Sequence, residues 1–390
     1  MRLLPILAAS CFVSSMSMRL IDPVVPDIAR DLGVDAASVA LLASAFTFPY
    51  ALGQPILGAL GDSLGKALII KISLAVLAVC LAGTALAPSL DALFVARIIG
   101  GAAGGGIIPL AFALVGDRFS FEERQIALSR VLTAVIAGQM TGSVGSGLIA
   151  SYFGWRAAMM GGTGLALAAL ALTLWQLHPR TNVERPPFQP SRMFDGYGPV
   201  FANSKTVVCF TAVFIEGIVV FGLFPYIAVL LEKRGAGGLR EAGFVLSGFA
   251  IGGLVYTALV RVMLSKLGLY NLIRAGAFLS GLGFVVLSPE WSWPVETAIF
   301  IAIGAGFYMI HNSLQTQATE LAPDNRGSGV AAHAFFFFLG QAVGPLVYRV
   351  GLDSAGTKAT LIAAGVMMAL TGIATAAGLK ARTPVTGSAP

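Results

Sequence analysis

Long apolar stretches alternate with short polar segments along almost the whole chain. About twelve stretches of roughly 20 mostly apolar residues can be delimited. They lie near residues 4–27, 38–60, 67–87, 91–115, 127–151, 156–178, 204–231, 241–264, 269–288, 294–318, 328–350 and 358–380. Because backbone polar groups in lipid must find partners within their own segment, we predict helices rather than strands. The pattern therefore predicts an all-α polytopic membrane protein with twelve transmembrane helices.

The longest polar connection runs from His178 to Pro199 and divides these stretches into two sets of six. It contains four prolines before Gly196 and charges of both signs, a composition typical of a linker. We predict an N-terminal six-helix bundle over residues 1–178, a cytoplasmic linker over 179–203 and a C-terminal six-helix bundle over 204–390.

The two predicted bundles share a sequence pattern. Residues 124–142 read RQIALSRVLTAVIAGQMTG, and residues 326–344 read RGSGVAAHAFFFFLGQAVG. In both segments an arginine is followed fourteen residues later by Gly-Gln and then by a further glycine, at a constant offset of 202. This coincidence indicates a duplicated unit and two pseudo-symmetric halves. Membrane transporters are often built in this way, with the binding site between the repeats at mid-depth.

Composition agrees with a protein that faces lipid. Only 11% of the 390 residues are charged and 56% are hydrophobic, whereas about 25% of residues in a soluble domain are charged. The net charge of +6 is spread over the loops, which favours lipid headgroups rather than nucleic acid as the partner of the basic residues. Cys11, Cys80 and Cys209 are scattered in apolar runs, and this argues against disulfides and metal clusters. We expect no metal and no cofactor.

Charge asymmetry predicts the orientation in the membrane. If both termini are cytoplasmic, about 16 lysines and arginines lie on the inner side and about 7 on the outer side. This is the direction that the positive-inside rule requires. Arg19 and Arg97 are the two cations left inside the spans.

The connection between spans two and three reads GALGDSLGKAL, from Gly58 to Leu68. Gly58 and Gly61 allow close helix approach and Gly65 a tight turn. Asp62 can cap the next helix or find a partner in the same half, and Lys66 can anchor at the headgroups. The segment resembles the loop signature G-x-L-x-D-x-x-G-[RK] of the major facilitator superfamily, in which it fills five positions: Gly58, Leu60, Asp62, Gly65 and Lys66.

The resemblance extends over essentially the whole chain and is closest to the twelve-span drug:proton antiporter branch. Arg97 and Gly101 match an R-x-x-x-G pattern in span four, and FGWR precedes span six. Span five carries the glycine ladder of the antiporters, without its proline, at Gly138, Gly142, Gly145 and Gly147. The resemblance implies a secondary transporter of small molecules in a bacterial inner membrane, which we expect to be monomeric. It also implies that spans one and four line the central cavity.

The first span ends in MRLIDPVVPDIA, from Met18 to Ala29, which carries Arg19 and Asp22 one helical turn apart. A charge at the bilayer centre costs about 2.5 kcal/mol or more, so each needs a partner or a purpose. By depth and by resemblance, Asp22 can pair with Arg97 as a structural ion pair. Asp22 can also act as a proton-sensitive carboxylate, or simply lie at the water interface.

Glu216 lies about twelve residues into span seven, close to the midplane, with no lysine or arginine within two turns. Hydrocarbon favours the neutral carboxylic acid. We expect Glu216 to couple protons or substrate; the alternative is a neutral side chain hydrogen-bonded to a neighbouring helix. His311 and His333 are interpreted as hydrogen-bonded helix contacts rather than titrating relays.

Other aromatic, amide and basic residues in the spans are candidates for lining a substrate cavity. Besides Arg19, Arg97 and His311, they are Phe46, Tyr50, Gln139, Phe221, Tyr226, Tyr308, Asn312, Gln315 and Gln341. Phe335–Phe338 is a run of four aromatics, of which at most two can face a cavity.

We predict proton-coupled efflux of small lipophilic or cationic compounds by alternating access. If Arg19 faces the cavity unpaired, an organic anion or a sugar-like metabolite is the alternative substrate; a passive uniporter is a further alternative. We do not expect an enzyme, since the sequence has no nucleophile elbow, no metal-binding helix pair and no phosphate loop.

Overall fold

The computed structural model describes residues 3–177, 196–289 and 291–382, and all regular elements in these ranges are helical. Most of the predicted linker falls on residues 178–195, outside the described residues. Its last part contains a short helix, α10 (Tyr197–Ala202). Below, the N half means residues 3–177 and the C half means the described residues from 196 onwards.

The N half contains nine α-helices and three shorter helical segments. They are α1 (Leu3–Arg19), a 3-10 turn (Asp22–Val24), α2 (Val25–Leu32), α3 (Ala36–Ala40), α4 (Leu42–Leu60), a π segment (Gly61–Gly65), α5 (Lys66–Ala85), α6 (Leu90–Gly104), α7 (Ile107–Arg118), α8 (Phe121–Met140), a second π segment (Thr141–Gly145) and α9 (Ser146–Gln176).

After α10, the C half repeats this order. It contains α11 (Thr206–Glu216), a π segment (Gly217–Phe221), a 3-10 turn (Phe224–Tyr226), α12 (Ile227–Lys233), α13 (Leu239–Leu287), α14 (Trp293–Glu320), a 3-10 turn (Pro323–Asn325) and α15 (Arg326–Ala381).

Eight helical stretches of the described chain are long and apolar enough to cross a membrane. Four of them have 49 to 56 residues, more than the ~20 that one crossing needs. Each of these four contains a glycine with positive φ: Gly65, Gly154, Gly268 or Gly356. The chain turns back at Gly356. The residues before and after this glycine lie side by side, since a side chain at Gly351 would meet Thr360.

The backbone repeats at the offset seen in the sequence. Gly33 and Gly235 end α2 and its counterpart α12 with φ of 64° and 66°, and they are 202 positions apart. Gly154 and Gly356 have φ of 79° and 76° at the same spacing. Only glycine adopts this left-handed backbone without strain. The turns of both halves therefore depend on equivalent glycines.

Glycines also bring helices together at equivalent places in each half. A side chain at Gly101 of α6 would collide with the backbone carbonyl of Phe46 on α4. A side chain at Gly304 of α14 would collide with that of Phe249 on α13. Small residues at membrane helix contacts let the backbones approach closely. The halves meet where α4 packs against α15 and where α8 and α9 pack against α13.

Candidate functional site

Arg19 ends α1 and is buried between the two halves. Its Nη2 donates a hydrogen bond to Oε1 of Gln341 at 2.6 Å, and its Nη1 lies 3.5 Å from Oδ2 of Asp22. The guanidinium carbon stands 4.4 Å from the ring centre of Phe221 and 5.1 Å from that of Phe224. Arg19 is thus held by one residue of its own half and three of the other. We call this group the Arg19 clasp.

Asp22 lies in the clasp because proline breaks the first span. Pro23 has no N–H to continue the helix, and the chain enters the 3-10 turn that begins at Asp22. The carboxylate is fully buried, and no described residue forms a hydrogen bond with its Oδ1. A buried carboxylate requires a cation or hydrogen bonds nearby, and Arg19 supplies the one salt bridge that Asp22 makes within the described residues.

Arg97 does not pair with Asp22, contrary to the sequence-based interpretation. Its Nη1 donates to the carbonyl of Ser17 at 2.8 Å and its Nε to that of Leu42 at 3.2 Å. Its guanidinium lies 4.0 Å above the ring of Phe46. The carbonyl of Ser17 lies in the last turn of α1, where carbonyl groups have no partner within the helix, whereas that of Leu42 lies at the start of α4. Arg97 therefore joins α1, α4 and α6 of the N half.

Glu216 ends α11 and is fully buried. Its Oε2 lies 3.0 Å from Nδ1 of His311 on α14, and its Oε1 has no hydrogen-bond partner in the part of the chain that the structure describes. Gly217, which follows it, lets α11 approach the backbone of α15, where His333 places its ring centre 5.0 Å from that of His311. His311 makes the expected hydrogen bond to a neighbouring helix, and this same bond is the one that the alternative interpretation of Glu216 requires. Nε2 of His333 has no hydrogen-bond partner within the described residues. Neither Glu216 nor Asp22 faces lipid.

Phe221 and Phe224 of the Arg19 clasp belong to a set of five phenylalanines that lies between the guanidinium of Arg19 and the Glu216–His311 pair. Phe221 lies 4.9–5.5 Å, between ring centres, from each of four other rings: those of Phe224, Phe249, Phe307 and Phe337. Phe307 and Phe337 in turn lie 4.9 Å and 4.5 Å from the ring of His311. We call these five rings the aromatic layer.

Of the five rings, the sequence pointed to Phe221 as a site residue. Phe249 and Phe307 were missed because an apolar helix has no periodic signal that separates a central residue from a lipid-facing one.

The remaining cavity candidates occupy different environments. Phe46 and Tyr50 are buried, and Tyr50 lies 4.8 Å, between ring centres, from Phe338 of the other half. Tyr226 donates a hydrogen bond from its hydroxyl to the carbonyl of Pro345 at 2.8 Å, which makes it a helix contact. The other candidates are less buried: Gln139, Tyr308 and Asn312 are partly exposed and Gln315 is exposed.

The loop motif forms a local charge cluster around Lys66. Nζ of Lys66 lies 2.7 Å from Oδ2 of Asp117 and 3.5 Å from Oδ1 of Asp62. Gly65 has φ of 110° and makes the expected turn. Gly61 packs against Leu110, but a side chain at Gly58 would meet no atom within 4 Å. The close approach expected at Gly58 is therefore absent, while that at Gly61 is present.

Contacts between the halves are concentrated at one end of the bundle. Arg30 and Glu232 form an ion pair of 2.6 Å, and Arg349 lies 3.9 Å from Asp35. Gly147 packs against the backbone of α13 near Leu239. We call this the Arg30 end, and the opposite end, with Lys66 and Asp117, the Lys66 end.

Comparison with known proteins identifies the family. The sequence profile described as the Major Facilitator Superfamily matches residues 7–345. The chain belongs to the Major Facilitator Superfamily. Members of this superfamily are multi-pass membrane transporters of small molecules that typically work as single chains, not enzymes.

Its similar relatives include bacterial drug exporters. Multidrug resistance protein 1 of Bacillus subtilis is 23% identical over 355 residues, or 88% of each chain. The multi-drug resistance efflux pump PmrA of Streptococcus pneumoniae serotype 4 is 25% identical over 372 residues, or 92% of this chain and 91% of the pump. Relatives of this kind imply the plasma membrane.

A solved structure has the same superfamily fold. The human organic anion transporter MFSD10 (TETRAN) aligns with a TM-score of 0.73 over 96% of this chain and 99% of that one, at 16% identity. At that identity the likeness concerns the fold alone.

Proposed function

We propose that this transporter exports small lipophilic or cationic compounds in exchange for protons. The observation that carries the proposal is Glu216: a fully buried carboxyl group whose one described partner is a histidine rather than a lysine or arginine. Without a permanent cation beside it, such a group binds and releases a proton according to its surroundings. The adjoining aromatic layer suits planar lipophilic compounds.

The proposed architecture has twelve spans. The four longest stretches, if each is counted as two spans divided at its positive-φ glycine, bring the eight stretches to that number. Two halves of six spans, with a cytoplasmic linker and cytoplasmic termini, would rock about the clasp and the aromatic layer, as a monomer. The Arg30 end is then outside, and the contacts of Arg30 and Arg349 describe a conformation closed to the outside.

Inward proton movement can drive such export. Each proton gains about 2.3 kcal/mol per 100 mV and about 1.4 kcal/mol per pH unit. A tenfold gradient of a neutral compound costs about 1.4 kcal/mol, so one proton suffices. Protonation of Glu216 would remove the negative charge that holds a cationic compound and release it outside.

The test is pH-gradient-driven transport of ethidium, a lipophilic cation, in proteoliposomes. We expect Glu216→Gln to reduce gradient-driven accumulation of ethidium at least tenfold and to weaken ethidium counterflow without a gradient, because the amide lacks the charge that holds the cation. Glu296→Gln is the matched control, because Glu296 is also a buried carboxylate of the C half but is paired with Arg234. Equal gradient dependence in wild type and Glu216→Gln would refute proton coupling at Glu216. If ethidium transport by the wild type does not depend on the pH gradient, the protein is a passive uniporter.

A second candidate is transport of organic anions or sugar-like metabolites, favoured by the charges of the N half. Two buried arginines, Arg19 and Arg97, accompany one buried aspartate, Asp22, so this region carries an excess positive charge when Asp22 is ionised. Counterflow of a lipophilic sulfonate against that of ethidium separates the two candidates. If anions are the substrates, Arg19→Ala abolishes sulfonate counterflow; if cations are, ethidium exchange alone is seen in wild type.

A further inference from the structure

Glu216, His311 and His333 form a line of titratable side chains on three different helices, in which Glu216 and His333 are buried and the side chain of His311 is 12% exposed. The carboxyl group and the first imidazole are 3.0 Å apart, between Oε2 and Nδ1. The two imidazole ring centres are 5.0 Å apart. Oε1 of Glu216 and Nε2 of His333 are buried and have no hydrogen-bond partner among residues 3–177, 196–289 and 291–382. If the contact were only structural, the unpaired polar atoms at its two ends would lower the stability of the fold, because each has lost its hydration and gained no hydrogen bond.

The line leads towards the Lys66 end. His333 follows Arg326 by seven residues, or about 10 Å along α15, and the side chain of Arg326 is 63% exposed. Glu216 lies ten residues after the start of α11, or about 15 Å deep. Arg326 and the start of α11 are on the same side of the bundle, since Asn203 beside α11 bonds to Leu321 just before α15.

The other side of the line is closed by rings. Phe307 stacks on His311 with an angle of 17° between the planes, and Phe337 contacts the same imidazole. Phe221 contacts both of these phenylalanines and carries Arg19 on its far side. Hydrocarbon rings offer no group that can accept or pass on a proton.

We propose that His311 and His333 carry protons between Glu216 and the Lys66 end, while the aromatic layer blocks exchange with the Arg30 end. This inference rests on the proposed function, because it requires a proton on Glu216. It makes His333, which does not touch Glu216, the residue that sets how fast Glu216 equilibrates with water.

Each step conserves protons. The protonated carboxyl group of Glu216 gives its proton to Nδ1 of neutral His311, and the proton on Nε2 of His311 passes to neutral His333. The imidazolium of His333 then releases a proton to water at the Lys66 end. Glu216 is left ionised and His311 is left as its other tautomer, which a ring rotation resets. Neutral imidazole has one donor and one acceptor nitrogen, so it can do both.

Few other titratable groups are near the line. On the elements packed around it, the described ones are Tyr308 on α14, Tyr256 on α13, Tyr50 on α4 and Cys209 on α11, with Arg19 and Asp22 behind the aromatic layer. The tyrosine, cysteine and arginine side-chain types do not titrate between pH 5 and 8 in water. Asp22 is a buried carboxyl group that can titrate there, so a pH-dependent rate that persists in Asp22→Asn reports on the line itself.

The test is a pH jump on the purified full-length protein in lipid nanodiscs, followed by time-resolved infrared absorption. The carboxyl band of interest is the one that Glu216→Gln removes. We expect His333→Asn and His311→Asn to slow its relaxation at least tenfold with its amplitude unchanged, and free imidazole to restore the rate in His333→Ala. Ser280→Ala, which alters a buried hydroxyl on α13, is the control and should relax like wild type.

The outcomes separate the two proposals. A carboxyl band with wild-type relaxation in His333→Asn, or in His333→Gln should the former not fold, overturns the histidine line and leaves proton coupling intact. No band that Glu216→Gln removes would mean that Glu216 does not change protonation, and then the proposed function itself fails.

Discussion

Arg30 and Glu232 form an ion pair between residues that are 202 positions apart, which is the offset between the two sequence repeats. Arg19 and Phe221, whose guanidinium and ring are in contact, have the same separation. Equivalent positions of two repeats can touch only on the axis that relates the repeats. The pseudo-two-fold axis therefore passes through both contacts, and the Arg30 end closes around it.

The Arg30–Glu232 pair should bias the transporter towards closure of the Arg30 end. The side chains are 58% and 28% exposed, and exposed pairs are worth up to about 1 kcal/mol. We expect Arg30→Ala or Glu232→Ala to raise the open-to-closed ratio by up to about fivefold, measured by spin-label distances across this end. The double variant Arg30→Glu, Glu232→Arg should recover most of the closed population. Unchanged distances in both single variants would show that the pair has no such role.

Removing Arg19 should destabilise the fold more than removing its partner in the C half. Arg19→Ala leaves Asp22 buried without its cation, which costs about 3–5 kcal/mol. Gln341→Leu removes one hydrogen bond to a charged group, worth about 1.5–3 kcal/mol. Thermal unfolding in detergent gives the comparison. The double variant Arg19→Ala, Asp22→Asn should regain part of the loss; if it is no more stable than Arg19→Ala, Asp22 is not the group that needs the arginine.

Gly101 and Gly58 should respond differently to the same substitution. A methyl group at Gly101 would collide with the backbone of Phe46, and α4 and α6 would have to separate. We expect Gly101→Ala to cost about 1–3 kcal/mol of stability. Gly58→Ala meets no atom and should be neutral or gain up to about 1 kcal/mol of helix propensity. Equal unfolding temperatures for the two variants would contradict the packing described for α4 and α6.

Asp35 should stabilise the start of α3 in a manner that depends on pH. Its side chain accepts a hydrogen bond from the amide of Ser38 at 2.8 Å, and bonding to Ser38 lowers the pKa of Asp35 below its usual 3.8. A lowered pKa means that the folded state holds the proton less tightly, so the stabilisation is complete above about pH 4 and is lost on acidification through the lowered pKa. Asp35→Ala should cost about 0.5–2 kcal/mol at pH 7.

The measurement for Asp35 is the unfolding temperature from pH 7 to pH 3. The difference between wild type and Asp35→Ala should shrink at the acid end of this range. Asn caps helices about as well as Asp but does not titrate; Asp35→Asn should therefore keep most of the stability, with less dependence on pH. A difference that grows on acidification would mean that the pKa is raised instead.

The apolar pattern was sufficient to predict helices, their approximate positions and the repeat. Helices in lipid satisfy their own backbone, so local sequence determines them. The 202 offset first seen at Gly138–Gln139 and Gly340–Gln341 recurs in the backbone at Gly33 and Gly235. The conformation of these turns depends on the glycine and its chain neighbours, so the local sequence is sufficient to predict it.

Partners of the buried charges were harder to predict. The neighbour of Glu216 is 95 residues away and that of Arg19 is 322 residues away. Such contacts depend on which faces of two helices meet, and a helix that is apolar all round gives no sign of this. Depth and the family resemblance suggested that Asp22 can pair with Arg97, yet Arg97 bonds to carbonyl groups of α1 and the start of α4. Hydrogen bonds to backbone groups leave no pattern in the sequence of side chains.

The contacts on the axis join unlike residues: a cation with an anion at positions 30 and 232, and a cation with a ring at positions 19 and 221. A chain made of two copies of the N half would place Arg30 against Arg30 and Arg19 against Arg19, with repulsion in both layers. The N half therefore cannot take the place of the C half. The two residues of each contact on the axis must have changed together, one in each repeat. Exchanging one repeat between relatives should therefore succeed only when the residues that it contacts on the axis in the other repeat are exchanged as well.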